Sequence, residues 1–372
     1  MKISTTKPEL QSALQKVSKA TPTRSTLPIL NFVLFSSVEG ETTLRVTDLE
    51  ITIVAKLAAS TEQTGEAALP LQTLLDVTNE LPEETRITIE VGDKNKAKIT
   101  TDSGTYDITG REANEFPAIP ELNDKRQINV SAESFLDLVQ KTSFAVSRDD
   151  LKPALTGVLF RFNQNDITAV ATDGHRLVKY LKKEENSGTY AGDMIVPKKF
   201  LKLSSTVLPG QQEATVWVGS THLTMAVGGD TYYTRIIDER FPDFDSVIPK
   251  DNENELIVNR MALLSGVRRV SIFSNRSTHQ IALALSKDEN QITTEDPEKA
   301  SSAKENIEGK YNGQDLTIGY NAAYLKDILA HIPSDEVVVK LNSSISAALF
   351  YPKTQEGNTE LTTLLMPIRL NE

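Results

Sequence analysis

STLPILNFVLF, residues 25–35, returns at residues 150–160 as DLKPALTGVLF. Pro28 matches Pro153, and Val33-Leu34-Phe35 matches Val158-Leu159-Phe160, each 125 residues further along. Thr47-Asp48 and Thr172-Asp173 hold the same offset, as do Phe116-Pro117 and Phe241-Pro242. A second signature carries the repeat to a third copy. LPLQTLLDVTNELP (69–82), VPKKFLKLSSTVLP (196–209) and YNAAYLKDILAHIP (320–333) share Pro or Asn at the second position and Pro at the last. Pro or Asn opens a helix and Pro follows its end. After each comes a β-rich run: RITIEV (86–91), ATVWV (214–218) and EVVVKL (336–341). Every copy also opens on a helical stripe, through Leu10, Leu14 and Val17, then Phe135, Leu138, Val139 and Thr142, then Met261, Leu264 and Val267. Three copies of helix, strands, helix, strands predict α+β domains with antiparallel sheets carrying helices on one face. The joins fall in ELNDKR (121–126) and KDNENE (250–255), giving domains 1–124, 125–251 and 252–372.

The rest of the composition is that of a soluble globular protein of 372 residues. With no cysteine, disulfides, thiolate zinc sites and a cysteine nucleophile are excluded. The opening MKISTTKPELQSALQKV lacks a signal peptide's apolar run, and no stretch reaches membrane-spanning length, so a cytoplasmic protein is expected. A net charge of −11 argues against nucleic acid unless positive charge is concentrated locally. The acidic, polar segment 287–309 reads as a solvated loop or strand edge.

ATDGHRLVKY (171–180) brings an acid, a glycine, a histidine and an arginine together in a chain with four histidines. Asp173-Gly174 between alternating residues predicts a two-residue hairpin turn, with Thr172 facing His175. Catalysis finds no support: His222, His279 and His331 form no HxH, HExxH or HxxxH pair, and GxSxG, GxxxxGK[ST] and GxGxxG are missing. The first copy has VTDLEITIV at the same place, the same frame with different exposed chemistry. That contrast marks the second corner as a binding feature, a rim for a short peptide. TTLLMPIRLNE (362–372) is a second apolar stretch, either a closing core strand or a groove wall. From the residues alone, a peptide-binding repeat scaffold stays open, as does, more weakly, a hydrolase or transferase using Asp173 and His175.

TLPIL (26–30), TDLE (47–50), ATDGHRL (171–177), RFPDF (240–244), IGYN (318–321) and MPIRL (366–370) resemble, in order and spacing over the whole chain, the bacterial DNA polymerase III β subunit family of sliding clamps. The resemblance implies three tandem clamp domains per subunit and a head-to-tail homodimeric ring. Antiparallel sheets would lie outside, and two helices per domain would line a central hole around double-stranded DNA. Such a ring tethers the replicative polymerase without catalysis, cofactor or metal. Its partners would be the clamp loader and other clamp-binding proteins, none of them a membrane. A specialised clamp paralogue is the alternative within the family.

Carried onto this sequence, the implied DNA-facing residues are Lys7, Lys16, Lys19, Arg24, Lys141, Lys198, Lys199, Lys202, Arg268, Arg269 and Lys326. In the loop RDDLKPAL (148–155), Asp149, Pro153 and Ala154 stand where some relatives carry glutamine and tyrosines, leaving Arg148 and Lys152. The implied partner-peptide pocket comprises Leu155, Thr172, Gly174, His175, Arg176, Leu177, Pro242, Val247, Leu364, Leu365, Met366, Pro367, Ile368 and Arg369. Two departures bear on its preference: Ser246 replaces an arginine found in some relatives, and Ala347 stands near a position where serine occurs. The dimer contact would use Tyr106 and Ile108 against Ile272 and Phe273. At its rim, KNKAK (94–98) would oppose Glu295, Asp296, Glu298, Glu305 and Glu308.

Overall fold

The computed structural model describes residues 1–22, 24–119, 124–184 and 188–370. Glu121, Leu122 and Asn123 of the first join, and Asn371 and Glu372 of the tail, lie outside them. The first repeat runs β1 (Lys2–Thr6), α1 (Lys7–Ser18), β2 (Phe32–Val38), β3 (Glu41–Thr47), β4 (Ile51–Leu57), β5 (Ser60–Gln63), β6 (Gly65–Pro70), α2 (Leu71–Glu80), β7 (Arg86–Val91), β8 (Lys96–Thr101) and β9 (Thr105–Thr109). The second runs β10 (Arg126–Ser131), α3 (Ala132–Thr142), β11 (Gly157–Phe162), β12 (Asp166–Thr172), β13 (Arg176–Lys183), β14 (Gly192–Pro197), α4 (Lys198–Val207), β15 (Glu213–Val218), β16 (His222–Val227) and β17 (Asp230–Arg235). The third runs β18 (Asn254–Asn259), α5 (Arg260–Val270), β19 (Gln280–Leu285), β20 (Asn290–Asp296), β21 (Ser301–Asn306), β22 (Gly309–Asn312), β23 (Leu316–Asn321), α6 (Ala322–His331), β24 (Glu336–Leu341), β25 (Ala348–Pro352) and β26 (Thr359–Leu365).

Each repeat therefore opens on a strand, not on a helix as expected. KISTT, RQINVS and NELIVN are short alternating runs whose inward residues, such as Ile3, Val130 and Leu256, are buried. The helical stripes are as read for α1 and α3. In α5 the buried face instead runs through Leu263, Leu264, Gly266, Val267 and Val270, and Met261 is exposed. Asn259 caps that helix, accepting from the Ala262 amide at 2.9 Å, and so fixes its rotation. Asn321 caps α6 in the same way, accepting from the Ala323 amide. Each fully buried leucine, isoleucine or phenylalanine contributes about 1.5–3 kcal/mol, so the repeated stripes dominate the folding of each domain.

Of the two forms expected for segment 287–309, the structure has the strand edge: β21 closes one side of its sheet. The segment contributes β20, whose alternation buries Asn290, Ile292, Thr294 and Asp296, and β21, whose residues alternate between half-buried and exposed. Its polarity hid a period-two pattern whose inward positions are mostly not hydrocarbon.

The chain forms two compact units. One comprises residues 1–133, 188–190 and 206–236, the other 134–187, 191–205 and 237–372. The first holds sheets ordered β5-β1-β7-β8-β9 and β10-β15-β16-β17-β4-β3-β2-β6. The second holds β14-β11-β12-β13-β26-β25-β24-β18-β22 and β21-β20-β19-β23. All named pairings are antiparallel. Each large sheet passes from one repeat to the next by a single rule: the last strand of a repeat pairs with the middle strand of the repeat before it. β17 thus joins β4, with Thr234 opposite Ile51, and β26 joins β13, with Leu365 opposite Arg176. β21 and β9, which hold those places in the third and first repeats, are sheet edges.

Candidate docking groove and nucleic-acid interface

The Thr-Asp corner is a turn built from side chains, and it is built twice. In the first repeat, Thr47 Oγ1 donates to the Ile51 carbonyl (3.0 Å) and accepts from the Leu49 amide (3.0 Å). Asp48 Oδ1 accepts from the amides of Glu50 (3.0 Å) and Ile51 (2.7 Å). In the second, Thr172 Oγ1 donates to the Arg176 carbonyl (2.7 Å) and accepts from Gly174 (3.1 Å). Asp173 Oδ1 accepts from His175 (2.9 Å) and Arg176 (3.0 Å). The residue after each aspartate is left-handed, Leu49 at φ 74° and Gly174 at φ 90°. Because the aspartate gathers two amides beyond it, the loop spans Asp173 to Arg176, and Thr172 pairs with Leu177. The expected Thr172–His175 pairing is therefore corrected. Asp173 belongs to the turn, and His175 stands exposed on its crest.

Beneath the second corner lies an apolar cluster of Leu159, Val170, Leu177, Ile195, Phe244, Leu349 and Leu364, with Ala154, Phe241 and Ala347 half-buried beside it. In the first repeat, Arg45 takes the place of Val170 and lays its guanidinium 5.2 Å over Phe116. Burial pushes that guanidinium below its usual value. The first repeat keeps a smaller apolar cluster there, of Leu34, Ala68 and Phe116, with that charge laid across it. The tail is tied down at two points: the Met366 amide donates to the His175 carbonyl (2.8 Å) and the Ile368 amide to the Gly319 carbonyl (2.9 Å). Met366 and Arg369 are exposed, Pro367 and Ile368 half-buried. Pro242 and Val247 are exposed, and Leu155 is buried next to Ala154, which packs on the cluster. Ser246 turns its hydroxyl to the Asp243 carbonyl.

Three of the expected pocket residues point elsewhere. Leu365 is fully buried in the core of the third repeat, since successive strand residues alternate faces. Thr172 is buried and spends its hydroxyl on the turn. Arg176 is 7% exposed, and its guanidinium is met from within. Nε donates to Asp173 Oδ2 (3.1 Å), Nη1 to Asp327 Oδ2 (2.7 Å) and Nη2 to the Phe144 carbonyl (2.9 Å). It is thus no rim residue. The sequence reading also missed Tyr324, whose ring stacks on His175 at a centroid distance of 5.7 Å. The only signal for it was an aromatic at the start of α6, one turn after the Asn321 cap.

The expected DNA-facing cations divide similarly. Lys7 is 4% exposed and paired with Glu83, so it is a structural lysine unavailable to phosphate. Lys16 pairs with Asp230 (2.7 Å), and Lys19 donates to Thr206 (3.2 Å). Arg24, Arg148, Lys152, Lys199, Lys202 and Arg268 are exposed; Lys141 and Lys326 are half-buried. Arg269 makes a bidentate pair with Glu305 (2.9 and 2.7 Å) while keeping an exposed flank. Lys198, at the start of α4, is held below the usual lysine range by burial and then by the neighbouring guanidinia of Arg148 and Arg176.

The N-terminal, central and C-terminal domain profiles of the DNA polymerase III β subunit match residues 1–120, 129–243 and 245–369 in succession. The chain belongs to the DNA polymerase III β subunit family. Among these sliding clamps, that of Pseudomonas putida is 30% identical over 97% of this chain and 98% of its own. The Synechococcus elongatus clamp is 30% identical over the full length of both. The crystal structure of the Pseudomonas aeruginosa clamp bound to griselimycin superposes with a TM-score of 0.91 at 29% identity, covering all of both chains. The Bartonella birtlesii clamp bound to griselimycin gives 0.92 at 27%, again over both whole chains.

Against the clamp expectation, Tyr106 and Ile108 lie half-buried on the edge strand β9. Ile272 and Phe273, in the short helical turn after α5, are 76% and 44% exposed. Lys94, Lys96 and Lys98 are exposed on or before β8, next to β9. Of the five acids assigned to the opposite rim, Asp296 is buried and paired with the exposed Lys299, and Glu305 is taken by Arg269. Glu295, Glu298 and Glu308 are exposed.

Proposed function

We propose that this chain is a DNA sliding clamp, a non-catalytic processivity factor that encircles duplex DNA and tethers the replicative polymerase. The succession of all three clamp-domain profiles along one chain carries this reading. Its domains are taken as 1–124, 125–251 and 252–372. Two chains close head to tail, β9 of each against β21 of the other. This extends to a second copy the rule that already joins β17 to β4 and β26 to β13. An unpaired strand edge is a template for such pairing, and a head-to-tail contact whose rotation closes yields a ring instead of a filament. Ile272 and Phe273 supply exposed apolar surface beside β21. Exposed cations such as Arg24, Lys202 and Arg268 then hold phosphates without reading bases, as sliding requires.

The groove under His175, walled by Leu177, Leu364 and Met366, takes the short apolar segments of the polymerase, the clamp loader and other clamp-binding proteins. It also takes griselimycin, the compound bound by the two related clamps. The chain works in the cytoplasm, where DNA is copied. The test is retention of the clamp, loaded by its loader, on nicked circular DNA, with release when the circle is cut. A parent protein that sediments only as monomer at micromolar concentration, or leaves intact circles as fast as linear DNA, refutes the reading. Phe273→Asp, which places an unpaired charge in an apolar contact, is expected to abolish retention and yield monomers.

A further inference from the structure

The two Thr-Asp corners share their hydrogen bonds but differ at the residue that opens the next strand. In the first corner it is Ile51, 1% exposed and opposite Thr234; in the second it is Arg176, opposite Leu365. Since isoleucine suffices to build the turn, the arginine serves some other end. Burying a guanidinium costs several kcal/mol unless good partners meet it, and here those partners come from three places. Asp173 is in the corner, Phe144 follows α3, and Asp327 is on α6. The guanidinium carbon also lies 4.8 Å from the centre of the Tyr324 ring, the ring that stacks on His175. Removing Arg176 frees the corner from α6 and leaves that stack without its base.

We infer that Arg176 is a positioning residue for the docking groove: it does not touch the ligand but holds His175 against Tyr324, and so fixes the end of the groove. The assignment rests on the groove reading above. The test uses the full-length protein, griselimycin titrated calorimetrically, and two variants. Arg176→Ile installs the residue of the first corner; Asp327→Ala removes one partner of the buried guanidinium from an exposed helix position where alanine is well tolerated, and a thermal melt of each variant checks that it folds. Each is expected to weaken griselimycin binding roughly tenfold, and the double variant no more than the stronger single, because both break one linkage. In the ligand-free protein, both variants should lose the NMR contacts between the His175 and Tyr324 rings. If Asp327→Ala binds like the parent while Arg176→Ile does not, Arg176 meets the ligand itself and the inference is overturned. Additive losses, or an intact ring stack in both variants, overturn it as well. A parent that fails to bind griselimycin brings down the groove reading and this assignment with it.

Discussion

Replacing Gly319 by alanine would put a methyl group 2.6 Å from the Ile368 carbonyl oxygen and 2.7 Å from Leu370 Cδ2. Neither separation is tolerable, so one side of the contact must move. If β23 moves, it carries Ile318 and Tyr320, both fully buried, and disturbing such a core costs about 1–3 kcal/mol. If the tail moves, it gives up the Ile368–Gly319 hydrogen bond, worth about 1 kcal/mol, and part of the contact of two half-buried side chains, somewhat less than 1 kcal/mol. The tail is the cheaper route. Gly319→Ala is therefore expected to lower the melting temperature by no more than about 4 °C while exposing residues 366–370 to carboxypeptidase. With that wall of the groove displaced, griselimycin binding should weaken about tenfold, the equivalent of 1.4 kcal/mol. Calorimetric titration and timed digestion followed by mass spectrometry read both effects. A tail as protected as the parent's, with unchanged affinity, would refute the reasoning; a large drop in melting temperature would show that the strand had yielded instead.

Lys7→Met keeps the buried stem and removes the charge, so it should leave the salt dependence of DNA binding as it is. Arg268→Ala should lower the slope of log K against log salt by about 1, and equal slopes for the two variants would place Lys7 on the DNA surface after all. Gly174→Ala meets no atom within 4 Å but forces an L side chain to φ 90°. It should cost about 1 kcal/mol by thermal unfolding, and an unchanged stability would mean that the corner relaxes.

Legibility varied along the chain for physical reasons. The helices α1 and α3 declare themselves through apolar spacing, and α2, α4 and α6 through bounding Pro or Asn, both local signals. The opening strands did not, because five or six residues such as KISTT carry too little alternation to outweigh the helix that follows. Segment 287–309 left loop and strand edge undecided because the positions it buries are mostly polar. Met261 was assigned to the core because the stripe through Leu264 and Val267, both buried, was carried one turn too far toward the start of the helix.

The sequence by itself determined the threefold repeat, the α+β domain and the family. Those follow from order and spacing, which the chain carries locally. Only the tertiary structure decided what individual side chains are free to do. Arg176 is met by a carbonyl 32 residues before it and a carboxylate 151 residues after it. Lys7 is met by Glu83, 76 residues away. A charged residue at a surface-looking position reads the same whether water or a distant partner solvates it. That choice is made by the packing of remote elements, where an ion is either left to the solvent or buried against a specific counterpart.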